Sequence, residues 1–197
     1  MMPKQLFSVV ILCTLIAVSC APKKSITPVA TVSEETRTWN DKSASLLGQG
    51  SYQDALEAAE KAIALDPSYS FAWNNKSVAL LGLGMPEDAM VAAEKAVEVD
   101  PKNAVAWSNK GVALRQMGRI PDALEAVERA LGLDPRNALI WYNKACYAAL
   151  QNERDLALQS LSRALALEPR LRTRAEKEGE LKSLWDDPQF KELVEQR

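Results

Sequence analysis

The 197-residue chain contains no histidine. That removes the side chain most used as a general base and as a metal ligand. Cysteine is scarce too: Cys13, Cys20 and Cys146. The first two fall in an N-terminal apolar segment, so the rest of the chain has one thiol and no intrachain disulfide framework. Neither sign of charge is in excess. Lys and Arg number 24 and Asp and Glu 26, a formal charge of −2. A near-neutral chain offers no electrostatic case for nucleic acid. The sequence has no phosphate-binding glycine loop, no dinucleotide glycine pattern and no cluster of metal ligands. Its serines have no histidine to activate them. No enzyme activity, cofactor or metal is therefore expected. Cys146 falls on an apolar helix face in register with Val78 and Val112, which is a packing position.

Long apolar runs are also missing, with one exception. Lys4 is followed by an apolar stretch from Leu6 to Val18, interrupted by Ser8 and Thr14 only, and then by Ser19-Cys20. The run is shorter than the roughly 20 residues a membrane helix needs. A basic start, an apolar core and a small residue at the end fit a secretory signal over residues 1–19. The end of the segment, Ala17-Val18-Ser19-Cys20, resembles the lipobox of lipoproteins. That resemblance implies lipidation of Cys20, which becomes the first mature residue. Two acyl chains suffice for stable anchoring where one is marginal. The expected location is the cell envelope, exported and membrane-anchored on the periplasmic or outer face of a membrane. Residues 20–35 carry Pro22, Pro28 and several Ser and Thr without helical period, and read as a flexible tether.

What the chain has is a period of 34. Trp39, Trp73, Trp107 and Trp141 lie on it, each followed by a similar stretch, as in Trp107-Ser108-Asn109-Lys110-Gly111-Val112-Ala113-Leu114. A second ladder keeps the same step: Asp66-Pro67, Asp100-Pro101, Asp134-Pro135 and Glu168-Pro169. A fixed period of this size signals stacked supersecondary units. Within the unit 70–103, Phe71, Trp73, Ser77, Val78, Leu80 and Leu81 recur at helical spacing. Gly82 and Gly84 break the run. Pro86 restarts it where a missing N–H costs little, and Ala89, Met90, Ala93, Ala96 and Val97 share the next helical face. Asp100-Pro101 ends it, because the residue before proline avoids the α region. Each unit is thus helix, turn, helix, link, and one pair alone cannot bury its apolar stripe.

These features resemble the tetratricopeptide repeat. Trp73, Trp107 and Trp141 match its first large position, and Ser77, Gly111 and Ala145 its small position four residues on. Ala89, Ala123, Ala157, Ala96, Ala130 and Ala164 match the small sites of its second helix. The resemblance implies an all-α solenoid with repeats at 36–69, 70–103, 104–137 and 138–171. Residues 172–197 then form a capping helix and a tail whose Asp186-Asp187-Pro188-Gln189-Phe190 packs an aromatic back onto the solenoid. One departure is lysine, at 76, 110 and 144, where the family often has leucine.

In this family the first helices line a concave groove. The register implies that Phe71, Val78, Leu81, Val105, Val112, Arg115, Gln116, Leu139 and Tyr142 lie in it. Two residues after each tryptophan come Asp41, Asn75, Asn109 and Asn143. An amide offers two donors and an acceptor, and this column resembles the asparagine ladder of O-linked N-acetylglucosamine transferase. The family's carboxylate clamp is missing: its positions hold Asn40 and Ala44, Asn74 and Val78, Ser108 and Val112, Tyr142 and Cys146. The expectation is a membrane-tethered adaptor that binds a protein or peptide partner in its groove within an envelope assembly. The alternatives are a self-associating structural component or an accessory subunit of an envelope enzyme complex.

Overall fold

The computed structural model describes residues 32–195. The signal segment, Cys20 and most of the tether lie outside the described residues. Four helix pairs follow one another: α1 (Glu34–Gly48) with α2 (Tyr52–Leu65), α3 (Ser70–Gly82) with α4 (Pro86–Val99), α5 (Ala104–Gln116) with α6 (Ile120–Leu133), and α7 (Ala138–Leu150) with α8 (Arg154–Leu167). The described residues contain no strand, and none of their helices is long and apolar enough to cross a membrane. The first helix starts two residues inside the expected tether. Ser33 accepts the Thr36 N–H there and Glu34 and Glu35 fill the first turn, the side chains a helix start favours.

Both ladders have local causes. Gly50, Gly84 and Gly118 close the turn within their repeats at φ 74°, 72° and 76°. Asn152 takes the same left-handed place at φ 60° in the fourth. In each turn the N–H one residue further on bonds back across the helix end, as from Met85 to the Leu80 carbonyl at 2.9 Å. Between repeats, Asp66, Asp100 and Asp134 each accept the N–H two residues ahead at 2.9–3.1 Å, through Oδ1. Glu168 makes no such bond among the described residues, and there the regular solenoid stops.

Within a pair, the small column lets the helices approach. Ser43 and Ser77 donate to the carbonyls of Ala55 and Ala89 at 2.7 and 2.8 Å. At Gly111 an added Cβ would lie 3.2 Å from the Ala123 carbonyl oxygen. The alanines facing this column on the second helices are fully buried.

Between pairs, the tryptophans act as clasps. Trp73, Trp107 and Trp141 donate their ring N–H to the carbonyls of Pro67, Pro101 and Pro135 at 2.9, 3.1 and 3.0 Å. The lysine three residues on lies over the ring and pairs with a glutamate of the preceding second helix. The pairs are Lys76–Glu60, Lys110–Glu94 and Lys144–Glu128, at 2.8–2.9 Å. Each cation–ring contact contributes about 0.5–1 kcal/mol at such sites. This accounts for lysine where leucine is usual.

The C-terminal part departs from one capping helix. It forms a short α9 (Leu171–Ala175), a 3₁₀ turn (Gly179–Leu184) and α10 (Pro188–Glu195). Glycine at 179 disfavours an unbroken helix. Phe190 is buried in the main core, as expected of the tail. Arg154 of α8 binds Asp187 and Gln189 beside it.

Candidate functional site: the inner face of the first helices

First helices touch the first helices of the next repeat, whereas second helices pack between first helices with at most marginal contact to one another. The first-helix layer is therefore the tighter, inner one. Residues two before and two after each tryptophan are four apart, one above the other on a single helix face. Phe71 thus pairs with Asn75, Val105 with Asn109, and Leu139 with Asn143.

The apolar members of these pairs are open. Phe71, Val105 and Leu139 expose 54%, 47% and 54% of their surface. Such large apolar side chains at one step along one face form a contiguous patch rather than scattered exposures. Val78, Leu81 and Val112 are half-buried beside them and Gln116 is exposed. Asp41 is exposed at the N-terminal end.

The asparagines face the seam between repeats. Asn75 Nδ2 donates to the backbone carbonyl and to Oδ1 of Asn40, at 3.1 and 2.9 Å. Asn109 Nδ2 donates to Asn74 Oδ1 at 3.5 Å and Asn143 Nδ2 to Ser108 Oγ at 3.3 Å. Every bond spans 35 residues, from one first helix to the residue after the tryptophan on the one before. The donor side of the column thus binds the solenoid to itself. Among the described residues no donor reaches Oδ1 of Asn75, Asn109 or Asn143, and all three residues keep part of their surface exposed. What they present outward is an acceptor.

Tyr142 and Arg115 do not line an open groove. Tyr142 is fully buried, because the C-terminal segment lies against α7. Its hydroxyl is 3.4 Å from Glu178 Oε2, and the Arg174 guanidinium stands 4.9 Å from its ring centre. Arg115 pairs with Glu180 at 3.2 Å. Cys146 is buried in the same place. Burial, then the nearby Glu178 and Glu180, push its thiol pKa up, so it is held protonated and unreactive. The two carboxyl groups influence each other's titration. Their interaction raises the Glu180 carboxyl above its ordinary range and lowers that of Glu178, which Arg174 and Tyr142 also hold down. The sequence signal for this cover was faint, since Glu178 and Glu180 sit in a charged stretch with no period.

Among the described residues no group of three acidic or cysteine side chains comes together to hold a metal. The clefts on the outer side, such as the one of about 300 Å³ between α4 and α6 over Trp107, are walled by the clasp residues Glu94 and Lys110.

Two family models, both described as tetratricopeptide repeat, match residues 46–110 and 104–137. No curated relative matches the chain significantly. Among solved structures, the chain is similar to the pilF protein of Pseudomonas aeruginosa, with a TM-score of 0.70 and 20% identity over 82% of this chain and 75% of that one. It is also similar to TTC0263, a thermophilic repeat protein of Thermus thermophilus, with a TM-score of 0.68 and 22% identity over 77% of this chain and 82% of the other. A third is the first repeat domain of Spaghetti (RPAP3) bound to an HSP90 peptide, with a TM-score of 0.52 and 24% identity over 55% and 86% of the two chains. At these identities the likeness is one of fold.

Proposed function

The chain being a tetratricopeptide-repeat protein, we propose that it is a non-catalytic scaffold that binds a protein or peptide partner on its inner face, tethered to a membrane through lipidated Cys20 within a cell-envelope assembly. The observation that carries the binding reading is the exposed column of Phe71, Val105 and Leu139, each stacked beside an asparagine acceptor. A partner that covers these apolar side chains gains burial, and its backbone N–H groups find acceptors. The RPAP3 domain, which holds an HSP90 peptide, is a precedent for the mode but not for the partner. The clamp positions here hold Asn74 and Ser108 rather than a basic side chain, so the clamp that receives an acidic C-terminal tail is missing. The tether reading rests on the lipobox-like Ala17-Val18-Ser19-Cys20.

Capture from a detergent extract tests the binding reading. The wild-type chain is compared with a triple variant, Asn75→Ala, Asn109→Ala and Asn143→Ala, whose fold is checked by circular dichroism. Loss of a partner is expected, and an unchanged partner list would rule out the asparagine column. The anchor is tested separately by Cys20→Ser, which is expected to abolish lipid processing and to release the protein from membranes.

A further inference from the structure

Trp73, Trp107 and Trp141 each pack behind a preceding repeat, and those junctions show what lies against them. Lys76, Lys110 and Lys144 are half-buried, each paired with a glutamate of the second helix before it. Lys42, at the same place in the first repeat, is exposed. Leu80 and Leu114, seven residues after their tryptophans, are buried, whereas Leu46 at that step is only half-buried. The later ring N–H groups meet a proline carbonyl, but among the described residues no acceptor reaches that of Trp39. The N-terminal end of the solenoid thus carries the clasp residues without the helix they clasp elsewhere.

Around the Trp39 ring the charge is positive. Lys42 and Lys61 both stand over it, at 4.9 and 4.3 Å from its centre. Neither forms an ion pair among the described residues. Arg37 and Asp41 belong instead to the inner-face column, two residues either side of the tryptophan. Two ammonium groups that share one ring repel each other and favour an anion between them.

The other junctions show which anion fits. On α2, α4 and α6 the clasp glutamate lies four residues after Leu56, Met90 and Leu124 and three before Ile63, Val97 and Leu131, so each trio shares one helix face. Met90 and Glu94 line one cleft with Trp107 and Lys110. On α8 the same spacing gives Leu158, Ser162 and Leu165. The glutamate is gone there, and Leu158 and Ser162 share a cleft with Glu192 and Leu193 of the C-terminal segment. In the four repeats glutamate holds this position only where a clasp lysine follows. Residues 1–33 contain no Asp or Glu, so that stretch has no carboxylate to offer Lys42. A second copy stacked head to tail would offer Ser162.

We propose that the face built by Trp39, Lys42, Leu46 and Lys61 docks an acidic amphipathic helix of another protein. Its glutamate enters between the two lysines. Apolar residues four before and three after that glutamate cover Trp39 and Leu46, and a carbonyl beyond the helix end accepts the Trp39 N–H. Asp41 has no N–H for the seam bond that Asn75, Asn109 and Asn143 make, so this end suits a lone helix rather than a further stacked repeat. The surface is separate from the inner face and does not depend on what binds there.

The test uses the full chain in detergent and a fluorescent, end-blocked peptide with the sequence of residues 86–102, the element that packs on Trp107. A lactam on its far face holds it helical. Fluorescence anisotropy is expected to show this peptide binding on the order of tenfold more tightly than its Glu94→Lys version. Lys42→Glu with Lys61→Glu, both at exposed positions, is expected to reverse that order while circular dichroism stays unchanged. Equal binding of the two peptides, or no reversal, overturns the proposal. If neither peptide binds and the double substitution instead abolishes a preference for phosphatidylglycerol over phosphatidylcholine vesicles, or a self-association seen by light scattering, the face belongs to a membrane or to a second copy and the proposal falls.

Discussion

Ser108 and Tyr142 stand 34 residues apart, each one residue after a tryptophan, and so do Val112 and Cys146 at five residues after. In the third repeat these positions border the open inner face, with Val112 half-buried beside exposed Val105. In the fourth repeat Tyr142 and Cys146 are sealed under the segment that carries Glu178 and Glu180. The repeat is the same and the outcome differs. A repeat's register determines which way a side chain points, but not what comes to lie against it. The next repeat would have continued the ladder at Lys177. Instead Glu178 meets Tyr142 at a separation of 36, one residue out of step with the asparagine bonds.

The contrast can be tested most strongly at the covered end. Tyr142→Ala leaves a cavity under the cap and is expected to destabilise the fold by about 3–5 kcal/mol in urea unfolding. Leu181→Ala, which removes a fully buried contact from the cap side, should cost about 2–4 kcal/mol. With Cys13 and Cys20 replaced by serine, it should also make Cys146 accessible to a thiol reagent. If Leu181→Ala leaves Cys146 protected, the cap does not shield that end.

The glutamate pair gives a signed pH effect. The folded state raises the Glu180 carboxyl, so its contribution is present below the ordinary carboxylate range and is lost as pH rises through its folded value. It lowers the Glu178 carboxyl, so that contribution is present above the ordinary range and is lost as pH falls through its folded value. At neutral pH Glu180→Gln should therefore leave Tm unchanged or raised, and Glu178→Gln should lower it. The difference should shrink below about pH 4. Thermal melts across that range decide the matter, and the reverse order would mean that the Arg115 pairing dominates over the contact between the glutamates.

The seam bonds have smaller effects. Asn75→Ala breaks two bonds to the first repeat and is expected to cost about 1 kcal/mol, more than Asn143→Ala, which breaks one. Least of all, Val105→Ser at the open face should change stability by no more than about 0.5 kcal/mol. A loss as large as that of Tyr142→Ala would show that the open face is part of the core.

Much of this architecture was legible in the chain. The tryptophan and Asp-Pro ladders fixed four helix pairs with starts at Ser70, Ala104 and Ala138, and the inner-face register placed Phe71, Val105 and Leu139 outward. The asparagine amides were legible as a column but not in their allocation. Which side of an amide is spent depends on a carbonyl or hydroxyl 35 residues away. The clasp of Lys76, Lys110 and Lys144 was visible only as a departure from the family pattern, because its partners Glu60, Glu94 and Glu128 belong to the preceding unit.

The sequence by itself determined whatever recurs: period, helix boundaries, the left-handed turns at Gly50, Gly84 and Gly118, and the face each side chain shares. These are local or repeated, set by backbone sterics and by one helix fitting the next. Only the tertiary structure decided where the repetition ends and what covers it. The contacts of Glu178 with Tyr142 and of Glu180 with Arg115 join residues 36 and 65 positions apart and occur once. A contact made once leaves no period to read, and burial of Tyr142 follows from the path of the cap rather than from the residues around it in the chain.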